Sequence, residues 1–224
     1  MEALPDFFPI VLTAQTCAVS LLAFLFLAVP LAFFLSRGRS WIIKPTEFLV
    51  TLPLIFPPIA LGYILLVVLG RNGIIGSVLD SAGLRIIFSP VGVYLAAFIA
   101  GLPLVVKPLQ AAFSESKIKE LEQAAAVCGA SRIKTFFLIS LPLVRNSLMS
   151  GLLLGLARAS GEVGITMMLG GNISDRTNTL SLEIFNSVSR GDFENATFLC
   201  WLLAGFTALI YLGLELLSRY AKHY

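Results

Sequence analysis

Charge and histidine are what this sequence has least of. Only 13% of its 224 residues are charged, against about 25% in ordinary soluble domains. The single histidine, His223, stands at the C-terminal end, where a solvated side chain is expected rather than a base or a metal ligand. The three cysteines, Cys17, Cys128 and Cys200, are scattered; they have no metal-ligand spacing and imply no disulfide framework. The phosphate-cradling G-x-x-x-x-G-K-[ST] loop is missing, and so are H-E-x-x-H and G-x-S-x-G. A serine or aspartate nucleophile would lack a nearby base. Catalysis on this chain is therefore not expected, and no cofactor is implied. No run of Lys and Arg has the density that binds nucleic acid.

Apolar length is abundant. The chain is 57% hydrophobic, and its mean hydropathy is +0.90. A bilayer-spanning helix needs about 20 mostly apolar residues, and five stretches offer that: Val11 to Leu35, Phe48 to Leu69, Val91 to Leu109, Leu143 to Leu169 and Phe198 to Leu217. The expected fold is an all-α polytopic membrane protein embedded in the lipid bilayer, with residues 1–224 forming one transmembrane domain. The N-terminus carries Glu2 and Asp6 but no Lys or Arg. It thus lacks the basic start of a cleavable signal peptide, and the first run is read as a span.

Five spans put the termini on opposite sides. Lys and Arg accumulate in cytosolic loops. Arg37, Arg39, Lys44, Lys107, Lys117, Lys119, Arg132, Lys134, Arg145, Arg219 and Lys222 fall on one side; Arg71, Arg85, Arg176 and Arg190 fall on the other. The N-terminus is expected outside, and the C-terminus and the segment around 114–142 in the cytosol of a cell membrane. On the outer side, residues 170–195 carry an apolar stripe of Leu180, Leu182, Ile184, Phe185 and Val188. They read as a short interfacial or re-entrant helix, or as part of a vestibule.

Two spans carry unusual residues. The second contains Pro53, Pro57, Pro58 and Gly62. Proline frees backbone carbonyls, which in lipid must find partners within the protein or in a water-filled cavity. Pro57 and Pro58 belong to a kinked packing helix or to the lining of a passage. The third span repeats the theme with Gly101, Pro103 and Pro108. The fourth places Arg158 and Glu162 four residues apart, on one helix face. A lone charge there costs roughly 2.5–3.5 kcal/mol on insertion scales. The two are expected to pair toward the bundle interior, as a structural ion pair or beside an anion path with Ser160. Gly151, Gly155, Ala159 and Gly161 allow close helix approach.

The segment between the third and fourth runs is polar. Ser114 or Ser116 is placed to cap a short helix ending near Ala126. Gly129 is placed to stop that helix in the left-handed conformation, and Ser131 to cap a second one. A right-angle pair of short helices reaching into the cytosol is expected.

The run Gln123-Ala124-Ala125, Gly129, Ile139 and Leu141-Pro142 resembles the cytosolic signature of ABC importer permeases: Glu-Ala-Ala, three residues, Gly, nine residues, Ile-x-Leu-Pro. Gln123 stands where that family has Glu, with Glu122 one place earlier. The resemblance implies that Glu122, Gln123, Ala124, Ala125 and Gly129 couple to an ATPase subunit. A wider likeness, through LPLIFPPIALGYILLVVLGRNGIIG and ARASGEVGITMMLGGNISDRTNTLSLEIF, is to molybdate permease subunits. Tungstate and sulfate or thiosulfate permeases share much of it. It implies a homodimer, two ATP-binding subunits and an extracytoplasmic oxyanion-binding protein. An ion-coupled secondary transporter is the alternative from another class, although internal repeats with paired broken helices are not evident.

Overall fold

The computed structural model describes residues 7–38 and 41–220, with side chains up to residue 216. The readings on Glu2, Asp6, Arg39, Lys222, His223 and the side chain of Arg219 lie outside the described residues. Eleven helices follow in order: α1 Phe8–Leu35, α2 Ile43–Ile55, α3 Pro58–Leu69, α4 Gly76–Ser81, α5 Pro90–Phe113, α6 Ser116–Val127, α7 Arg132–Leu143, α8 Arg145–Ser160, α9 Gly164–Gly170, α10 Leu180–Ser189 and α11 Phe193–Tyr220. There is no strand among the described residues.

The all-helical expectation holds, but two of the five expected spans are broken. Helices α1, α5 and residues Phe193–Leu216 of α11 are each long and apolar enough to cross a bilayer. A further crossing is available from α7 and α8, which meet at a bend of 74°. The second run divides at Phe56 and Pro57, both extended, with ψ of 140° and 129°. The cause is local: a residue before proline is driven out of the helical region, and here two prolines follow one another. Pro58 then opens α3 at its first position, where no donor is needed. The fourth run divides at Gly161, so α8 and α9 are separate helices.

Prolines also explain two loosened turns. Phe24–Ala28 in α1 and Phe136–Ser140 in α7 are π-helical, closed by Val29 N–H to the Phe24 carbonyl and Leu141 N–H to the Phe136 carbonyl. In each case a proline, Pro30 or Pro142, stands two residues past the turn. Its missing N–H and its ring prevent the ordinary bond four residues back, and the ladder widens instead.

Helix α5 is the central strut, continuous through Pro103 and Pro108. It packs mainly on α8 and touches α1, α2 and α9. Fully buried Phe24 enters a notch formed by Gly101 and Gly155 and stacks on Phe98 at 5.6 Å. A Cβ at Gly101 would lie 2.5 Å from both the Gly155 carbonyl oxygen and Phe24 Cζ. Gly101→Ala is therefore expected to destabilise the fold by about 1–3 kcal/mol. Thermal unfolding of the detergent-solubilised protein reads that loss, and an unchanged midpoint would contradict the crossing. Gly151 and Gly155 serve the expected close approach, whereas Gly161 marks a break and meets only the Ala157 carbonyl.

The stretch after α9 folds inward more than its apolar stripe suggests. Leu180, Ser181, Leu182 and Ser187 of α10 are buried, while Phe185 and Val188 are exposed. The reason is polar anchoring. Leu180 N–H donates to Thr13 Oγ1 at 2.9 Å, and Ser181 Oγ donates to the Ser160 carbonyl at 2.7 Å. Glu183 gathers Asn178 before the helix, Asn186 on it and Arg190 at its end. Burial pushes its carboxyl up, but these hydrogen bonds outweigh burial and hold it below the usual carboxylate range.

Candidate functional site

The polar segment is built from α6 and α7. Ile118 is the one buried residue among those of α6, so the helix lies on the bundle rather than in it. Its N-terminus departs from expectation. Glu115 occupies the cap position without a side-chain bond, and Ser114 Oγ donates to the Gln110 carbonyl at 2.7 Å. Neither Ser114 nor Ser116 caps α6. Ser114 is the last turn of α5, and its hydroxyl is taken by the carbonyl four residues back.

The C-terminal end of α6 is as expected. Gly129 has φ +80°, Ala130 N–H donates to the Ala125 carbonyl and Gly129 N–H to the Ala126 carbonyl, each at 3.0 Å. This crossed pair is the Schellman arrangement, which needs a residue in the left-handed region. Ser131 then accepts from Lys134 N–H at 3.3 Å and starts α7. The outer surface presents Gln123, Ala124, Cys128 and Gly129, flanked by Val127, 90% exposed, and Ile133, 74% exposed. Small side chains beside apolar knobs suit insertion into a concave partner.

Glu122 is turned the other way. Its carboxylate accepts a hydrogen bond from Arg37 Nη2 at Oε1, and Arg37 Nη1 meets Oε2 as an ion pair, both at 2.5 Å. Ser140 Oγ, fully buried, also donates to Oε1. The Arg37 guanidinium lies over the Phe33 ring at 4.3 Å. Phe33 in turn packs edge-on against Phe113 and Phe136 at 5.3 and 4.8 Å. These groups surround a concavity of about 580 Å³ between α6, α7 and the end of α1. Arg37 and Ser140 were not legible as site residues. Arg37 lies 85 positions from its partner and reads only as a loop charge, and Ser140 is the unspecified residue of Ile-x-Leu-Pro. A hydroxyl inside FFLISLP was the one available signal.

The second cluster lies where both broken spans restart. A Cβ at Gly164 would lie 2.9 Å from Pro58 Cβ, and one at Gly62 would lie 2.9 Å from Met168 Cβ. Thus α3 and α9 begin side by side, through glycine contacts. Glu162, 2% exposed, sits in the gap between α8 and α9, beyond the last helical residue Ser160. The shared helix face expected for Arg158 and Glu162 is replaced by a helix end facing a gap. The pair still forms, from Arg158 Nη1 to Glu162 Oε2. Glu162 Oε1 accepts the Ile165 N–H at 2.7 Å, satisfying an orphan donor of α9. Pro58 and the start of α9 are brought together; Pro57 is exposed at the α2–α3 break. Because Pro57 and Pro58 carry no N–H, the carbonyls of Pro53 and Leu54 lack their usual helical donors.

A chain with several apolar helices, two interrupted spans and a short helix lying against one end of its bundle has the parts of a membrane permease. It belongs to the family described as binding-protein-dependent transport system inner membrane component, whose profile matches residues 18–222. Membership makes it a multi-pass membrane component that works with a substrate-binding protein and an ATPase. The chain is 34% identical over 210 residues to the molybdenum transport system permease protein ModB of Azotobacter vinelandii, covering 93% of this chain and 91% of that one. It is 37% identical over 210 residues to ModB of Haemophilus influenzae, with the same coverage of 93% and 91%. It is 31% identical over 211 residues to the probable transport system permease protein NifC of Clostridium pasteurianum, covering 94% of this chain and 73% of that one.

Proposed function

We propose that this chain is the permease subunit of an ATP-driven molybdate importer, acting as a homodimer over two ATP-binding subunits and below an extracytoplasmic oxyanion-binding protein. The whole chain, residues 1–224, serves as one transmembrane domain. The N-terminus lies outside, and α6 and the C-terminus face the cytosol. The observation that carries this reading is α6, fastened at Ile118 and Glu122, with Gln123, Ala124 and Gly129 turned outward beside apolar Val127. Ala125 holds the helix end through its carbonyl. Hydrolysis belongs to the partner; this chain contributes the switch between two packings of its spans.

The passage is assigned to the broken spans. Non-helical backbone at membrane depth is tolerated against protein or water, not against lipid. Pro57 and Pro58 mark the break in one span and Arg158 and Glu162 flank the break in the other, and the exposed Phe56–Pro57 break faces the partner copy or the solute path. Molybdate rather than tungstate or sulfate is favoured by the names of the relatives matched along nearly the whole chain. Uptake of labelled molybdate by the reconstituted complex, with unlabelled tungstate and sulfate as competitors, tests the solute. Molybdate is expected to compete best, and stronger competition by sulfate would refute the assignment.

Orientation has a direct test. Cys128 is exposed at the end of α6. A membrane-impermeant maleimide is expected to label it in inverted vesicles stripped of the ATPase and to leave it unlabelled in intact cells. Labelling from outside would reverse the topology.

A further inference from the structure

Resting on the importer reading, we propose that Glu122, Arg37 and Ser140 form the strut that passes movement of α6 into the transmembrane bundle, so that Glu122 positions the docking helix instead of meeting the ATPase itself. Little else holds α6. Ile118 is its one buried side chain, and between α6 and the end of α1 lies a concavity of about 580 Å³. A helix seated on one apolar contact can roll under load without moving what lies beneath. A second, directional attachment prevents that, and the structure contains one on the next turn.

The geometry of that attachment suits load transfer. A guanidinium that meets both oxygens of a carboxylate, one nitrogen to each, fixes angle as well as distance. Arg37 closes α1: its N–H donates to the Phe34 carbonyl at 3.2 Å, and its guanidinium rests on Phe33. Ser140 belongs to the π-helical turn of α7 imposed by Pro142, and it is fully buried. One carboxylate thus joins the end of α1, the docking helix and the bend that leads into α8. Phe33, packed against Phe113 and Phe136, ties the same point to the end of α5. Displacement of α6 by a closing ATPase pair would reach α1, α5 and α8 together. A second feature supports the division of labour. Neighbouring Gln123 and Ala124 face outward while Glu122 is half-buried, so one turn of helix carries docking on one face and transmission on the other.

The test uses the full complex with its ATPase and binding protein in proteoliposomes, comparing Arg37→Glu, Glu122→Arg, the two together, and Ser140→Ala. Each single charge reversal is expected to retain the ATPase subunit on purification but to lose at least about tenfold of solute-stimulated hydrolysis and uptake. The combined exchange restores the charge pair and is expected to recover most of the stimulation, which a merely misfolded variant would not do. Ser140→Ala removes one donor and is expected to lose about two- to fivefold. Loss of the ATPase subunit from the single variants would overturn the proposal, because Glu122 would then be a docking residue. Full stimulation in the single variants, or no recovery in the exchange, would also overturn it. A wild-type complex without stimulated hydrolysis sinks the importer reading and the strut together; a competent wild type beside competent single variants sinks the strut alone.

Discussion

Glu162→Ala is expected to destabilise the protein by about 3 kcal/mol, more than the double replacement of Arg158 and Glu162 by Ala. Removing one partner of a buried pair typically costs about 3–5 kcal/mol, because the other charge is left stranded. The Arg158 side chain is 32% exposed, so it recovers some hydration and the loss falls at the lower end. Removing both charges eliminates the stranded guanidinium. It still leaves the Ile165 N–H without the acceptor that Glu162 supplies, at a cost of roughly 1–3 kcal/mol. Glu162→Gln separates the two effects: an amide oxygen still accepts from Ile165 but no longer neutralises Arg158. Thermal unfolding of the four proteins in one detergent gives the order. A Glu162→Ala protein as stable as wild type, or a double variant less stable than the single one, would contradict a buried pair at the α8–α9 gap.

Gly129→Val is expected to abolish solute-stimulated ATP hydrolysis in the reconstituted complex. No atom lies within 4 Å of a Cβ at this position, so crowding is not the cause. The cause is φ of +80°. A left-handed backbone costs an L-residue roughly 1–2 kcal/mol, and a β-branched one is worse still. The α6–α7 turn would relax, releasing the carbonyls of Ala125 and Ala126 and swinging α6 relative to α7. Gly129→Asn is the control, since Asn tolerates the left-handed region, and it is expected to keep most of the stimulation. Equal, full stimulation in the Val variant would show that the turn does not orient α6.

These two positions show what could and could not be read from the chain. Gly129 and Ser131 were legible because stopping and starting a helix are local events, governed by a glycine without a Cβ and a hydroxyl within reach of a backbone N–H. The membership of Arg158 and Glu162 in one pair was legible from spacing and the cost of charge in lipid. Their setting was not. The run Leu143 to Leu169 is long and mostly apolar, and hydropathy does not register that Gly161 ends a helix and Glu162 begins the capping of the next. The consecutive prolines at 57 and 58 announced a disturbance, and the structure carries it from a bend to a full break. The partner of Glu122 was invisible for a different reason. Arg37 comes from the far end of another helix, and its role depends on how α1, α6 and α7 converge. For α10 the apolar stripe showed a short helix but not which of its residues are buried, because Thr13 and the Ser160 carbonyl anchor it by hydrogen bonds that no periodicity encodes.

Work done by a separate ATPase at α6 is proposed to drive solute through the broken spans. Uptake of molybdate into proteoliposomes holding the full complex, with equal ion concentrations on both sides, measures it directly. Uptake that requires ATP, the ATPase subunit and the binding protein together is the predicted result. Uptake by this chain alone, driven by an imposed proton or sodium gradient and indifferent to ATP, would contradict it and make the chain an ion-coupled carrier.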